Sequence, residues 1–403
     1  MVFKPACNFL KIGWLLCKLT VSYLRLCCTK RQAKACIVHA HFGKLGGTRT
    51  YFYSLIEYLS AKQFDITVLV SRDQCDEELL QFQSMVPFSM EQIDFEFNRT
   101  TFAGNIFNKN NRRHLLYQIN ELAFYFTHIK KCKANWCVLS EANPELLLFL
   151  FLSPVRLVYI LHTVATDRLD SFKRWMLNRC LSPRKLLVTV SQFSRDTLLR
   201  NWTKGRHSGY IKVIHNFFEP RVSPVQAVKS TQKRVLTIGH VEAYKNPLFW
   251  ISACKKVSSR YSHSVQFIWA GDGSLFKQCK AASSDTDNIH FIGYDKNVDQ
   301  LYADCDVYFQ PSILESHGIA VIGAMHYAKP CVVANSQGLP ESVIDDVTGK
   351  LVSIQTEDEA VAAILHCLNN TAQANEWGGA GKRRFDAHFS KQVWQAKMDE
   401  VFS

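Results

Sequence analysis

Hydrophobic positions along the chain form two alternating patterns. Continuous apolar runs of strand length, such as ACIVHAHF and DITVLVS, are typical of buried parallel strands. Between these two runs lie the glycine-containing turn GKLGGT and the segment RTYFYSLIEYLSAK, whose apolar residues recur at helical spacing. A strand, turn, helix and second strand in this order predict a right-handed βαβ unit.

The same alternation continues through two blocks, which are separated by the polar stretch EPRVSPVQAVKSTQK. Strands are predicted in WCVLSE, RLVYILHT, LLVTVS and YIKVIHN of the first block, and in RVLTIGH, SVQFIWAGDG, NIHFIG, VYFQPS and PCVVANS of the second. A length of 403 residues also favours two domains. The predicted fold class is therefore α/β, with two Rossmann-like, doubly wound parallel-sheet domains. The predicted boundaries are an N-terminal helix over 1–35, domains over 36–218 and 233–385, a linker over 219–232 and a final helix over 386–403.

Charge changes the interpretation of the N-terminal segment. The chain carries a formal charge of +13, and its first acidic residue is Glu57. Lys4, Lys11, Lys18 and Arg25 recur every seven residues and break the apolar run that a signal peptide needs. On a helix they form a basic stripe beside an apolar body, which favours binding to an anionic membrane surface. The alternative is a first helix that packs on its own domain. No nucleic-acid-binding motif accompanies the basic stripe.

Two further features bear on location. The apolar run from Pro144 to Thr163 approaches transmembrane length, but Pro154 and Arg156 divide it into a predicted buried helix and a buried strand. The 14 cysteines are scattered, apart from the neighbours Cys27 and Cys28, without the spacing of a metal site or a disulfide framework. The scattered cysteines favour a protein of the reducing cytoplasm.

Candidate binding residues follow the predicted strands of both blocks. Loops after parallel strands collect at the carboxyl edge of a sheet, where α/β proteins bind ligands, so we expect the two sets to face a central cleft. The candidates in the first block are Gly46, Gly47 and His162, and those in the second are Gly239 to Lys245, Gly271 to Gly273 and Glu315 to Gly318.

The turn from Glu315 to Gly318 leads into an apolar helix. The first N–H groups of a helix lack internal partners and carry positive partial charge, which favours a bound anion such as phosphate. Lys245 adds a mobile positive charge, whereas Glu315 would repel phosphate and is suited to accept hydrogen bonds from hydroxyls. Phosphate and hydroxyls together indicate a nucleotide sugar. Taken singly, Glu315 is equally explained as an exposed helix-start carboxylate and Lys245 as a surface lysine.

The order of these motifs resembles the retaining family 4 glycosyltransferases of the GT-B fold over about residues 36 to 400. The resemblance rests on Gly46-Gly47, LHT ending near His162, VTVSQFSRDTL, VIHNFFEP, TIGHVEAYKNP, FIWAGDGS and LESHGIAVIGAM. It implies transfer of a sugar with retained anomeric configuration, no required metal or cofactor, and a final helix that crosses back to the first domain. The implied catalytic residues are His162, Lys245 and Glu315; the implied donor-binding residues are Gly239, His240, Lys245, Gly271, Glu315, Ser316, His317, Gly318 and Ile319; and the implied acceptor-side residues are Gly46, Gly47 and Arg49.

The chain departs from the family pattern at four positions. Gly323 stands where the family has a glutamate that holds the ribose, and His240 stands where it usually has a phosphate-binding arginine. Gln337 and Phe217 replace frequent glycines. An active transferase with altered ribose contacts predicts that Gly323→Glu tightens donor binding. The alternative is a non-catalytic relative that binds nucleotide sugars or acts as a partner subunit.

Asp304-Cys-Asp306 has the spacing of the metal-binding DxD motif of the other glycosyltransferase fold. It directly precedes the strand VYFQP, so we interpret it as a helix-end acid and a strand start; a divalent cation would need further oxygen ligands.

The sequence and the resemblance together predict a hexosyltransferase that uses a nucleoside-diphosphate sugar and a glycan or lipid-linked acceptor in bacterial surface polysaccharide synthesis. It is expected in the cytoplasm, at the inner face of the membrane.

Overall fold

The structure, a computed structural model, describes residues 14, 17, 19–40, 46–93, 123–141, 153–169, 171–220 and 232–403. The predictions for about the first half of the N-terminal helix, for the first half of the 144–163 apolar run and for most of the linker fall outside these ranges. The chain divides into two compact units. The first unit comprises residues 1–190 and 194–213, and the second comprises residues 191–193 and 214–403.

A seven-stranded parallel sheet forms the centre of the first unit, with the strand order β3-β2-β1-β4-β5-β6-β7. The strands are β1 Ala35–Ala40, β2 Asp65–Ser71, β3 Ser89–Ile93, β4 Trp136–Glu141, β5 Arg156–Leu161, β6 Lys185–Thr189 and β7 Ile211–Val213. The apolar runs predicted as strands are confirmed. The sequence did not reveal β3, because its SMEQI sequence lies at a half-exposed sheet edge and lacks a continuous apolar run.

Helices cover both faces of this sheet. They are α1 over 19–27, α2 Gly47–Ala61, α3 Glu77–Met85, α4 over 123–131, α5 Ser171–Cys180 and α6 Gln192–Leu198. The first residues of α6 group with the second unit. On one sheet face, alternate residues such as Ile37, Cys137 and Tyr159 form one buried cluster with side chains of α1, α4 and α5. Strand alternation therefore decides which side chains fill this core.

The described part of α1 packs on its own unit. Leu26 is fully buried, Leu19 and Tyr23 lie against the same core, and the Tyr23 ring centroid is 5.8 Å from that of Phe126. The spacing of these three residues places them on one helix face. Val21 and Leu24 of α1 are exposed apolar residues, as is Trp14 ahead of it in the chain. The packing alternative is thus correct for one face of the helix, while membrane binding stays a prediction.

The second unit has a six-stranded parallel sheet with the order β10-β9-β8-β11-β12-β13. Its strands are β8 Lys233–Ile238, β9 Val265–Ala270, β10 Ile289–Gly293, β11 Val307–Gln310, β12 Cys331–Ala334 and β13 Gly349–Val352. Its helices are α7 Pro247–Arg260, α8 Phe276–Ala282, α9 Val298–Asp304, α10 Ile319–His326, α11 Leu339–Ser342, α12 Asp358–Asn369, α13 Thr371–His388 and α14 Lys391–Phe402. The predicted two-domain, parallel α/β fold is confirmed.

Two features of the C-terminal helices could not be predicted from the sequence: the existence of α13 and the contact that holds α14. Helix α13 was not predicted, since its glycines disfavour a helix, yet a Cβ at Gly378 would lie 2.0 Å from the carbonyl oxygen of Ala328. Phe217 stands where the resemblance implies a frequent glycine. It packs against Trp394 of α14 with ring centroids 4.8 Å apart. Within the second unit α14 is held by this contact; its crossing to the first unit remains a prediction. None of the helices in the described ranges is long and apolar enough to cross a membrane.

Candidate functional site

Two glycine loops approach each other at the carboxyl edge of the second sheet. Gly239 follows β8 and Gly271 follows β9, and the Gly239 N–H donates to the carbonyl of Ala270 over 3.0 Å. A Cβ at Gly271 would lie 2.0 Å from the Gly239 carbonyl oxygen, and the Gly271 φ of +148° is one that side chains rarely adopt. Gly271 is therefore required by close backbone packing. His240 is exposed beside this contact.

Lys245 and Glu315 are brought together by this arrangement. Lys245 ends the 3-10 turn Ala243–Lys245 after β8, and Glu315 lies in the loop between β11 and α10. The Lys245 Nζ donates to Glu315 Oε2 in an ion pair, and the two side chains are only 13% and 14% exposed. A Cβ on Gly239 would be 3.9 Å from Nζ, so the glycine loop leaves room for the lysine. The sequence predicted both residues for one site, and the structure places them in direct contact.

Two amides that sequence reasoning missed also hold Glu315. Gln310, buried at the end of β11, donates from Nε2 to Glu315 Oε2 over 3.0 Å. Tyr308 donates from its hydroxyl to Gln310 Oε1 over 2.8 Å. Gln337 accepts the backbone N–H of Glu315 over 3.1 Å and has a φ of +50°, a left-handed conformation that favours glycine. The signal in the sequence was a glutamine inside the apolar strand VYFQ.

Helix α10 begins at the predicted anion site. Gly318 caps it with a φ of +85°, and a Cβ there would lie 2.8 Å from Leu339 Cδ2. Ser316 and Ile319 are partly exposed, whereas His317 is fully buried, 4.9 Å from the His215 ring and 5.1 Å from the Phe389 ring. Within the described ranges neither ring nitrogen of His317 has a hydrogen-bond partner, and burial holds its pKa well below the ordinary value. In this structure His317 packs inside the unit.

Glu341, in the short helix after Gly338, joins a separate part of the chain to the second unit. Its carboxylate accepts the backbone N–H groups of Gln192 and Phe193 over 2.7 and 2.6 Å, and it lies 3.1 Å from His215 Nε2. Burial raises the pKa of Glu341, but the hydrogen bonds from His215 and the two N–H groups outweigh it and leave the pKa lowered. Glu341 therefore caps the start of α6 as an anion.

His162 lies in the first unit, directly after β5. Its Nε2 is 2.8 Å from Ser140 Oγ at the end of β4, and its ring meets the Tyr51 ring edge-on with centroids 4.6 Å apart. Burial lowers the pKa of His162 to about 4. The imidazole is consequently neutral at physiological pH, and its ring is fixed by Ser140 and Tyr51.

The predicted acceptor-side residues lie at the start of α2. Gly46 is its N-cap and Gly47 its first residue; residues 41–45 before them are outside the described ranges. Arg49 is buried, and its two terminal nitrogens donate to the two carboxylate oxygens of Asp76 over 2.7 and 2.5 Å. Tyr53 accepts from Arg49 Nε over 2.8 Å. This bidentate pair fastens α2 to the start of α3, and an acceptor-side role for Arg49 stays a prediction.

Residues 219–384, most of the second unit, match a known protein family. That family is glycosyl transferases group 1. Over 234 residues, 54% of this chain, the sequence is 26% identical to O-antigen chain mannosyltransferase B of Escherichia coli, and the alignment covers 60% of that relative. Over 139 residues, 33% of this chain, it is 25% identical to the UDP-Gal:alpha-D-GlcNAc-diphosphoundecaprenol alpha-1,3-galactosyltransferase of Escherichia coli, covering 36% of it. The chain thus aligns with less than two thirds of each of these relatives.

The fold likeness extends further than the sequence likeness. A glycosyltransferase from Rickettsia africae superposes with a TM-score of 0.74 over 92% of this chain and 98% of its own, at 16% identity. At this low identity the superposition establishes the fold alone, which is that of the GT-B glycosyltransferases. The group 1 match over residues 219–384 is what supports a glycosyltransferase.

Gly323, where the resemblance to family 4 implies a glutamate, is buried in α10. A Cβ there would lie 2.8 Å from the Tyr302 hydroxyl and 3.0 Å from Phe218 Cε2. The Tyr302 hydroxyl donates to the carbonyl of Ala320 over 2.9 Å, so the tyrosine is fixed. Gly323→Glu is therefore expected to lose stability, because two aromatic rings crowd the position of its Cβ. This crowding argues against the gain in donor affinity that the resemblance implies, which stays a prediction for measurement.

The two aspartates of the DxD-like motif pair with basic residues. Asp304 accepts from Arg234 over 3.1 Å, and Asp306 accepts from Lys233 over 2.8 Å and from the Arg234 backbone N–H over 2.9 Å. These contacts fasten the end of α9 to β8. Among the described residues, no group of three or more His, Cys, Asp or Glu side chains is arranged to hold a metal ion.

Proposed function

We propose that the protein is a retaining hexosyltransferase that moves a sugar from a nucleoside-diphosphate sugar to a hydroxyl of a glycan or lipid-linked oligosaccharide. The observation that carries this proposal is the Lys245–Glu315 pair beside the two glycine loops of the second unit. It brings one cation and one carboxylate to the same point, as a ligand with a diphosphate and sugar hydroxyls requires. The galactosyltransferase relative from Escherichia coli is named for a UDP-Gal donor and a diphosphoundecaprenol acceptor.

The proposed mechanism is electrostatic. Donor binding exchanges the Lys245–Glu315 ion pair for new partners: Lys245 and the N–H groups at the start of α10 stabilise the departing diphosphate, and Glu315 accepts hydrogen bonds from the sugar hydroxyls. His162 contacts the sugar as a neutral hydrogen-bonding group, consistent with its lowered pKa of about 4. We propose no metal and no other cofactor, because Lys245 and the N–H groups at the start of α10 supply the charge stabilisation.

The test measures release of free nucleoside diphosphate from UDP-galactose, UDP-glucose, GDP-mannose and ADP-glucose, with bacterial membrane lipid extract as acceptor. The proposal expects turnover with one donor, and loss of that turnover in Lys245→Ala and Glu315→Ala. A matched control is Lys255→Ala, which removes an exposed lysine paired with Asp285. Donor binding without turnover, with every acceptor extract tried, would favour the non-catalytic alternative. Product anomers resolved by NMR spectroscopy test the retained configuration.

We also propose that the protein works in the cytoplasm, bound to an anionic membrane surface through α1 in bacterial surface polysaccharide synthesis. Trp14, ahead of α1, and Leu24 of α1 are each 58% exposed, whereas Leu26 is buried in the core. Deleting the helix would therefore also damage the first unit. The sharper test is Trp14→Ser with Leu24→Ser, measured by sedimentation with phosphatidylglycerol vesicles. Unchanged vesicle binding by this folded variant would contradict the membrane role.

A further inference from the structure

Gln310 is a polar residue at a position where the strand pattern calls for an apolar one. It ends β11, whose four residues are all buried, and only 2% of its surface is exposed. Burying an amide costs free energy unless its donor and acceptor are both satisfied. The amide of Gln310 is satisfied at both ends, by Tyr308 and by Glu315. Its location therefore has a reason in the contacts that it makes.

Tyr308 fixes which end of the amide faces Glu315. The tyrosine hydroxyl lies 2.8 Å from Gln310 Oε1 and donates to it, so the NH₂ group is directed to Glu315 Oε2 at 3.0 Å. Tyr308 is itself fully buried, and its hydroxyl is also 3.4 Å from the backbone N–H of Ile238, which can donate to it. The chain of contacts begins at the rigid end of β8 and ends at the carboxylate.

Both donors to Glu315 use the same oxygen atom. Lys245 Nζ and Gln310 Nε2 each donate to Oε2, while no hydrogen bond from any described residue reaches Oε1. When Lys245 turns to a diphosphate, as the proposed function requires, Gln310 is the side chain that still holds Oε2. A carboxylate held at one oxygen by a fixed amide keeps its other oxygen in a defined direction.

We propose that Gln310 is a positioning residue, which holds Glu315 through Oε2 so that Oε1 accepts a hydroxyl of the donor sugar. This inference rests on the proposed function, since it concerns the donor sugar, and it assigns discrimination between a nucleotide sugar and a free nucleotide to a residue behind the site. Gln310 itself touches neither the sugar nor the phosphates.

The experiment compares binding of the preferred nucleotide sugar and of its free nucleoside diphosphate by titration calorimetry. For Gln310→Leu we expect affinity for the nucleotide sugar to fall about tenfold to a hundredfold, the effect of losing a hydrogen bond to a charged group. Affinity for the free diphosphate should not change, since that ligand lacks the sugar. The control is Gln300→Leu, which removes a 2.8 Å hydrogen bond to Asp304 outside the site and should leave both affinities unchanged.

A double-mutant cycle separates positioning from a general structural effect. If Gln310 acts through Glu315, then adding Gln310→Leu to Glu315→Ala should cause no further loss of sugar-nucleotide affinity. Tyr308→Phe should reproduce part of the effect of Gln310→Leu, because the amide then loses the group that orients it. Equal losses for both ligands, or additive losses in the cycle, would overturn the inference. If the native protein bound no donor of the panel, the proposed function itself would fail, a result that the native chain alone reveals.

Discussion

Gly323→Glu introduces the residue that the resemblance to family 4 implies at this position, and the structure predicts that it damages the protein. The new Cβ would lie 2.8 Å from the Tyr302 hydroxyl and 3.0 Å from Phe218 Cε2. Tyr302 has little freedom to move, because it is buried, donates to Ala320 and stacks on Tyr327 with an interplanar angle of 11°. Overpacking of this kind costs about 1–3 kcal/mol. A carboxylate buried without a partner adds about 1–3 kcal/mol or more, and better helix propensity returns less than about 1 kcal/mol.

The net expectation is a variant about 2–5 kcal/mol less stable than the native chain, with no gain in donor affinity. Urea unfolding followed by tryptophan fluorescence measures the first quantity, and titration calorimetry with the nucleotide sugar measures the second. The matched control is Gly379→Glu in α13, where a Cβ would meet nothing closer than Arg383 Nη1 at 3.7 Å, so stability should be retained. Native-like stability of Gly323→Glu, or tighter donor binding, would refute the packing argument.

Three further predictions concern other parts of the molecule. The pKa of His162 is lowered from 6.5 to about 4, so the unfolded chain takes up a proton at a higher pH than the native chain, and native stability should fall by about 3 kcal/mol as the pH drops through this interval. In urea titrations, His162→Gln should lose less stability over the same pH interval. An equal loss in the variant and the native chain would contradict the pKa assignment. Glu341→Gln should lower the free energy of unfolding by about 1.5–3 kcal/mol at pH 7. Because the pKa of Glu341 is lowered, this difference should persist above the ordinary value of 4.5 and shrink as the pH falls below it. A difference that stays constant with pH would argue against an anionic cap. Gly271→Ala should force the two glycine loops apart and weaken donor binding by about 1–3 kcal/mol in calorimetry, whereas Gly209→Ala, whose Cβ would meet nothing within 4 Å, should not.

Much of the fold could be predicted from the sequence because buried parallel strands have a local signature. Continuous apolar runs identified most strands of both units. The strands β3 and β13, each at a sheet edge, were missed because they lack such a run. Helix α13 was missed because glycine is needed at position 378 by the close approach of the Ala328 carbonyl, which is distant in sequence. Each error occurred where packing with remote residues outweighed local preference.

The sequence by itself determined the two α/β units and the residue types of the proposed donor site. Loops that follow parallel strands share one sheet edge, which brings Lys245 and Glu315 into the same region. Only the tertiary structure decided what each of these residues contacts. It pairs Lys245 with Glu315, places Gln310 behind the carboxylate and turns His317 into the interior. It also fills the space beside Gly323 with Tyr302 and Phe218. The physical reason is that hydrophobic periodicity specifies which face of an element is buried, whereas hydrogen-bond partners and available space depend on residues from distant segments.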